Sequence, residues 1–257
     1  APAVPSFPVH GISMHVDLDG PEEAPLVVFL HGALAAGAAF RSQRVALRDR
    51  FRLAFVDLRG HGRSTHLGGD VPWDTLDYAT MTQDVRELVD ILDADRPVHL
   101  VGASMGGVLA ARVCAEAPAR VASLALLGTS AIAGPKRAAY FGGLTPETLP
   151  LSTQRLSAMW HGEPYWRELA RQIFARIAIQ TADVYPSRLA PPRALVMQAT
   201  GDEVLEPREA EVWVERIDAP TTLVRPPGDH AFFADGRAGS RAANAALRAH
   251  LISPGTT

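Results

Sequence analysis

A chain of 257 residues, 47% hydrophobic and 21% charged, can bury a full core as one domain with a small insertion, which excludes a disordered polymer. Lys+Arg 25 against Asp+Glu 28 gives a net charge of −3, and the cationic residues are scattered arginines beside a single lysine, Lys136. No basic stripe results, so nucleic acid is not an expected partner. The lone cysteine, Cys114, excludes an internal disulfide and sits among small apolar residues, as a buried structural thiol would. The start, Ala1-Pro-Ala-Val-Pro5, lacks the basic and apolar regions of a signal peptide, and no run approaches the roughly 20 apolar residues of a membrane helix. The expectation is a cytoplasmic protein with no membrane partner; oligomeric state is not legible.

Strand and helix patterns alternate along the chain. Gly11 to Leu18 reads as an edge strand. Leu26 to Leu30 reads as a fully buried strand ending at His31-Gly32, and Phe51 to Val56 as another ending at Asp57-Leu-Arg-Gly-His-Gly62. Tyr78 to Leu92 carries Val85, Leu88, Val89 and Leu92 at helical spacing. Val98 to Val101, Val121 to Leu127, Ala194 to Met197 and Thr222 to Val224 are further strands, and Ser240 to Leu251 is a closing helix. Repeated β-then-α order predicts an α/β fold: a mostly parallel sheet with helices on both faces. The regularity breaks between Thr129 and Pro192, where Gly-Pro punctuation and helical pieces such as Trp166 to Ile179 predict a helical insertion over the C-terminal edge of the sheet. The expected organisation is a core of 1–128 and 193–257 with a helical lid at 129–192.

Chemistry concentrates where strands end. Gly102-Ala-Ser-Met-Gly106 follows a β-branched run and precedes the small apolar segment Gly107 to Val113. A serine on such a strand-to-helix turn is presented as a nucleophile, with glycines relieving the crowding and the helix N-terminus supplying unpaired N–H groups. Ser104 therefore needs a base, and His230, in Gly228-Asp-His230 after the last strand, is the candidate among nine histidines. The base needs a carboxylate to hold its tautomer. Asp202, after the penultimate strand, is the candidate, with Glu203 and Glu206 as nearby alternatives. His31-Gly32-Ala33 forms a turn able to aim a backbone N–H at a developing oxyanion, alongside the N–H of Met105.

These residues resemble the α/β-hydrolase superfamily over nearly the whole chain. The resemblance rests on His31-Gly32, Asp57-Leu-Arg-Gly-His-Gly-Arg-Ser64, Gly102-Ala-Ser-Met-Gly-Gly107, Gly201-Asp202 and Gly228-Asp-His230. The turn at Asp57–Ser64 is similar to that of small bacterial esterases, enol-lactonases and perhydrolases. The resemblance implies a sheet of about eight strands, a lid, no cofactor, and an oxyanion hole formed by Ala33 and Met105. The glycines of the Asp57–Ser64 segment point to a tight backbone turn, so Arg59 and His61 are expected to be structural. Serine at position 104 separates the chain from branches that use aspartate there. The implied activity is cleavage of a small-molecule ester or lactone through an acyl-enzyme. Perhydrolysis, C–C hydrolysis, acyl transfer, a lyase or cyclase step, and a ligand-binding receptor are the alternatives. In the insertion, Tyr140, Phe141, Trp160 and Trp166 are expected to line an apolar pocket. No histidine–carboxylate spacing suggests a metal site.

Overall fold

Alternation within each strand sets the layers of this protein. Leu26–Leu30 is buried at every position. Leu26, Val28 and Leu30 enter one apolar cluster, while Val27 and Phe29 enter another on the opposite face. Val101 and Ala103 likewise oppose Leu100, and Leu195 and Met197 oppose Ala194 and Val196. Successive side chains of a strand point to opposite faces, so a strand apolar throughout requires cover on both sides.

The structure, a computed structural model, describes residues 5–64, 66–178, 184–234 and 236–252. Residues 1–4 of the opening segment and Ile179, the last residue of the expected Trp166 helix, lie outside these. Eight strands form one sheet: β1 Ser6–Val9, β2 Ile12–Asp19, β3 Leu26–Leu30, β4 Arg52–Val56, β5 Val98–Ala103, β6 Val121–Leu127, β7 Ala194–Met197 and β8 Thr221–Val224. Their order is β1-β2-β4-β3-β5-β6-β7-β8. The first two are antiparallel to their neighbours, and all pairings from β4 to β8 are parallel. Strand β1, four residues with a proline, has no sequence signature of its own; pairing with β2 defines it.

Helices α1 (Arg41–Leu47), α2 (Tyr78–Leu92) and α3 (Met105–Glu116) follow β3, β4 and β5. The α2 helix starts at Asp77, whose carboxylate accepts from Thr80 N at 2.9 Å, an N-cap that satisfies an otherwise unpaired donor. Its Val85, Leu88 and Val89 join the core on the face that α3 shares. Helix α1 and the closing helix cover the other face through Leu47, Ala243 and Leu247. Between β6 and β7 lie α4 (Pro135–Gly142), α5 (Leu151–His161) and α6 (Tyr165–Gln172), the last running into a wide turn at Ile173–Ile177. Helices α7 (Glu209–Arg216) and α8 (Ser240–Ile252) complete the chain. The single helical piece expected from Trp166 thus begins at Tyr165 and loses regular α-geometry at Ile173. Cys114 is fully buried, and burial pushes its thiol up to about 11. No helix among the described residues is long and apolar enough to cross a membrane.

Candidate active site

Strand β5 ends at Ala103 and α3 begins at Met105, so Ser104 alone turns the chain. Its backbone lies at φ 50°, ψ −117°, a strained conformation for a residue with a side chain. Hydrogen bonds fix it: Ser104 N donates to Leu127 O at 2.9 Å, and Ser104 O accepts from Gly107 N at 3.0 Å. The flanking glycines are required by close approach. A Cβ at 102 would stand 2.3 Å from Gly106 O, and one at 106 would stand 2.1 Å from Leu30 O. Strand β3 and the start of α3 therefore touch backbone to backbone directly behind the serine.

The loop after β8 delivers His230, whose Nε2 lies 3.1 Å from Ser104 Oγ. Its Nδ1 lies 3.0 Å from both carboxylate oxygens of Asp202, in the loop after β7. Asp202 Oδ1 also accepts from the N–H groups of Val204 and Leu205, each at 3.0 Å. Burial opposes ionisation of Asp202, but the His230 hydrogen bond and charge and these two amides outweigh it and hold the carboxyl below its usual value. Among the described residues neither alternative carboxylate is bonded to the His230 ring. Glu203 accepts from the His230 backbone N–H at 3.0 Å. Glu206 contributes its carbonyl to Gln198 Nε2 at 2.9 Å. Lys136, on α4, donates Nζ to the carbonyls of Asp202 at 3.0 Å and Leu205 at 2.7 Å, tying the insertion to the acid loop.

Ala33 and Met105 border the same cavity as Ser104. Neither amide donates to another protein group among the described residues. The loop carrying Ala33 is held by three buried histidines. Leu58 N donates to His31 Nε2 at 3.0 Å, so the His31 proton sits on Nδ1, 2.7 Å from Gly32 O. Leu34 N donates to His61 Nε2 at 3.3 Å, leaving the His61 Nδ1–H to Arg59 O at 2.9 Å. Gly62 N donates to His161 Nδ1 at 2.8 Å, and the His161 Nε2–H is 3.0 Å from Leu34 O. Each ring is neutral with a fixed tautomer, because a nitrogen accepting from an amide carries no proton. Burial pulls His31 down to about 4 and lowers His61 and His161 as well. The rings meet edge to face at 4.9 and 5.5 Å. They secure Leu34, at φ 60°, by both its N–H and its carbonyl.

The Asp57–Ser64 turn stands behind this loop. Asp57 accepts from Gly37 N and Arg63 N at 2.8 Å each. Arg59 pairs with Asp84 through two 2.7 Å bonds while almost wholly buried. Arg59 thus fastens the turn to α2, and His61 fastens it to the loop that carries Ala33.

The four aromatic residues expected around a pocket separate. Phe141 lines the cavity beside Ser104, which measures about 30 Å³, room for little more than a water. Trp166 does not line it. Its helix turns Trp166, Leu169 and Ala170 inward together, leaving the indole 1% exposed with its N–H on Glu163 at 2.5 Å. Trp160 borders a separate groove with Met159 and Arg63, because Ser157 and His161 claim the inner face of α5. Tyr140 packs edge-on against Phe141 at 5.2 Å beside the acid loop, where burial and the charges of Glu203 and Asp202 push its phenol up. Sequence reasoning missed Tyr78 and Arg137, which do line the cavity, and His161 and Lys136, which fasten the insertion. Among the described residues no group of three or more His, Cys, Asp or Glu side chains could hold a metal ion.

Residues 25–159 match the family model described as alpha/beta hydrolase fold. The AB hydrolase superfamily protein YisY of Bacillus subtilis is 38% identical over 125 residues, 48% of this chain and 44% of that protein. The 3-oxoadipate enol-lactonase 1 of Acinetobacter baylyi is 30% identical over 123 residues, 47% of this chain and 43% of that protein. The matched stretch thus spans less than half the length of these curated relatives. The crystal structure of the enol-lactonase from Burkholderia xenovorans LB400 superposes with a TM-score of 0.74 at 23% identity, covering 97% of this chain and all of that one, a likeness of fold alone. Half of the chain falls within the matched family model, and the chain belongs to the alpha/beta hydrolase fold family.

Proposed function

We propose that this chain is a serine hydrolase that cleaves a small carboxylic ester or lactone through an acyl-enzyme. The observation that carries the reading is the line of contacts from Ser104 Oγ to His230 Nε2 at 3.1 Å and from His230 Nδ1 to Asp202 at 3.0 Å. The names of relatives support it, among them an enol-lactonase and a bifunctional esterase/perhydrolase of Acinetobacter calcoaceticus, 37% identical over 89 residues.

In this mechanism His230 Nε2 takes the Ser104 proton as Oγ attacks the substrate carbonyl. The oxyanion is received by the N–H groups of Ala33 and Met105; each such donor is worth about 3 kcal/mol. Collapse breaks the C–O bond, and His230 returns the proton to the departing alkoxide. Water, deprotonated by His230, then attacks the acyl-enzyme and releases the acid and free Ser104. Asp202 remains ionised throughout, orienting the ring and stabilising its charged form. The 129–192 insertion acts as the lid over the 1–128 and 193–257 core.

A fluorophosphonate probe should label Ser104, and Ser104→Ala should abolish both labelling and turnover of a short-chain ester and lactone panel. Folded wild-type protein that takes no label would overturn the reading.

A further inference from the structure

Among the described residues two arginines are more than nine-tenths buried, and they are treated differently. Arg59 has its carboxylate, Asp84, in a two-bond clasp. Arg137, on α4, is 7% exposed and lines the cavity that holds Ser104. Among the described residues it makes no ion pair, and its buried Nε has no hydrogen-bond acceptor. Its guanidinium carbon lies 5.7 Å from the centroid of the Tyr185 ring. The buried carboxylate of the region, Glu209, is already engaged by Ser130 Oγ at 2.7 Å, Ala131 N at 3.0 Å and Glu206 N at 3.2 Å.

A guanidinium cannot shed its proton, so burial leaves the charge intact, with its Nε–H unpaired. Such a charge is strongly unfavourable until a partner arrives. The wall around it is otherwise largely apolar, with Val108, Phe141, Ile173 and Ile177. Tyr78 adds a hydroxyl that burial keeps protonated, leaving it a proton donor. One uncompensated positive charge with a planar fork matches one carboxylate.

We propose that Arg137 receives a free carboxylate of the substrate, so that the esters or lactones cleaved at Ser104 carry a second, ionised carboxyl group. The substrate class rests on the hydrolase reading; the anion site does not.

The test compares wild-type protein on monomethyl glutarate and methyl valerate, which differ in one carboxylate, and measures glutarate binding by calorimetry. Wild type is expected to favour the monoester at least tenfold in kcat/KM and to bind glutarate. Arg137→Gln should collapse that ratio towards one, chiefly through KM, and lose glutarate binding; Arg137→Lys should retain part of both. Thermal unfolding verifies that each variant is folded, and the wild-type ratio needs no variant. A wild-type ratio near one, or glutarate binding unchanged in Arg137→Gln, overturns the proposal. Fluorophosphonate labelling of the same preparation separates the two readings. A labelled enzyme indifferent to the carboxylate loses only the anion site. An unlabelled protein that binds glutarate through Arg137 loses only the hydrolase reading.

Discussion

His161→Phe isolates the link between the insertion and the loop that carries Ala33. The phenyl ring is larger than imidazole, so no cavity opens, and fitting it adds an overpacking cost to the losses below. What is lost is a pair of hydrogen bonds: Gly62 N to Nδ1 at 2.8 Å and Nε2–H to Leu34 O at 3.0 Å. Both backbone groups are buried, and each unsatisfied group costs about 1–3 kcal/mol. Leu34 O keeps a long bond from Ser157 Oγ at 3.4 Å, so its share falls at the low end. The sum is about 2–4 kcal/mol, or roughly 5–15 °C in Tm for a chain of this size. Leu34 sits in a left-handed conformation next to Ala33, so releasing its carbonyl also lets the Ala33 N–H drift, and kcat should fall about tenfold or more. His161→Gln, whose amide can both accept and donate, should recover part of each loss. Urea unfolding and ester kinetics on the three proteins are the assay. A phenylalanine variant with wild-type midpoint and kcat would refute a positioning role for His161.

Two further outcomes are expected. Asp202→Asn should lower kcat by about 10³–10⁴ through loss of the imidazolium partner and the correct tautomer, while Glu203→Gln, at a position that meets only the His230 backbone N–H, should change it little; steady-state kinetics on both variants decide, and an Asn variant within tenfold of wild type would remove Asp202 from the orienting role. Stability should fall on acidification before the carboxylates titrate: burial holds His31 and His99 at about 4 and His250 at about 3, against 6.5 unfolded. Between those values the unfolded chain binds more protons, so stability is full above pH 6.5 and declines as pH falls towards 4, by up to roughly 3 kcal/mol per histidine. Urea midpoints that stay flat from pH 7 to 5 would contradict this.

The parts of the site legible in the sequence are those set by local geometry. Apolar runs such as Leu26–Leu30 and Val121–Leu127 must be buried on both faces, which predicts a parallel sheet. Glycines two residues either side of Ser104 mark a turn too crowded for a Cβ, and the polar residues following β7 and β8 supply Asp202 and His230. What the sequence left undecided is the facing of the inserted helices. Trp160 and Trp166 have the composition of pocket residues, yet α5 spends its inner face on Ser157 and His161, and α6 buries its tryptophan in the core. Arg137 looks like any other arginine until its surroundings show that, among the described residues, its Nε has no partner and it makes no ion pair. His161 and Lys136 find their partners 127 and 66 residues away. A hydrophobic run determines that a segment is buried, because transfer from water depends on that segment's own side chains. Which face of a helix meets the site depends on contacts between distant segments, and only the tertiary structure fixes those.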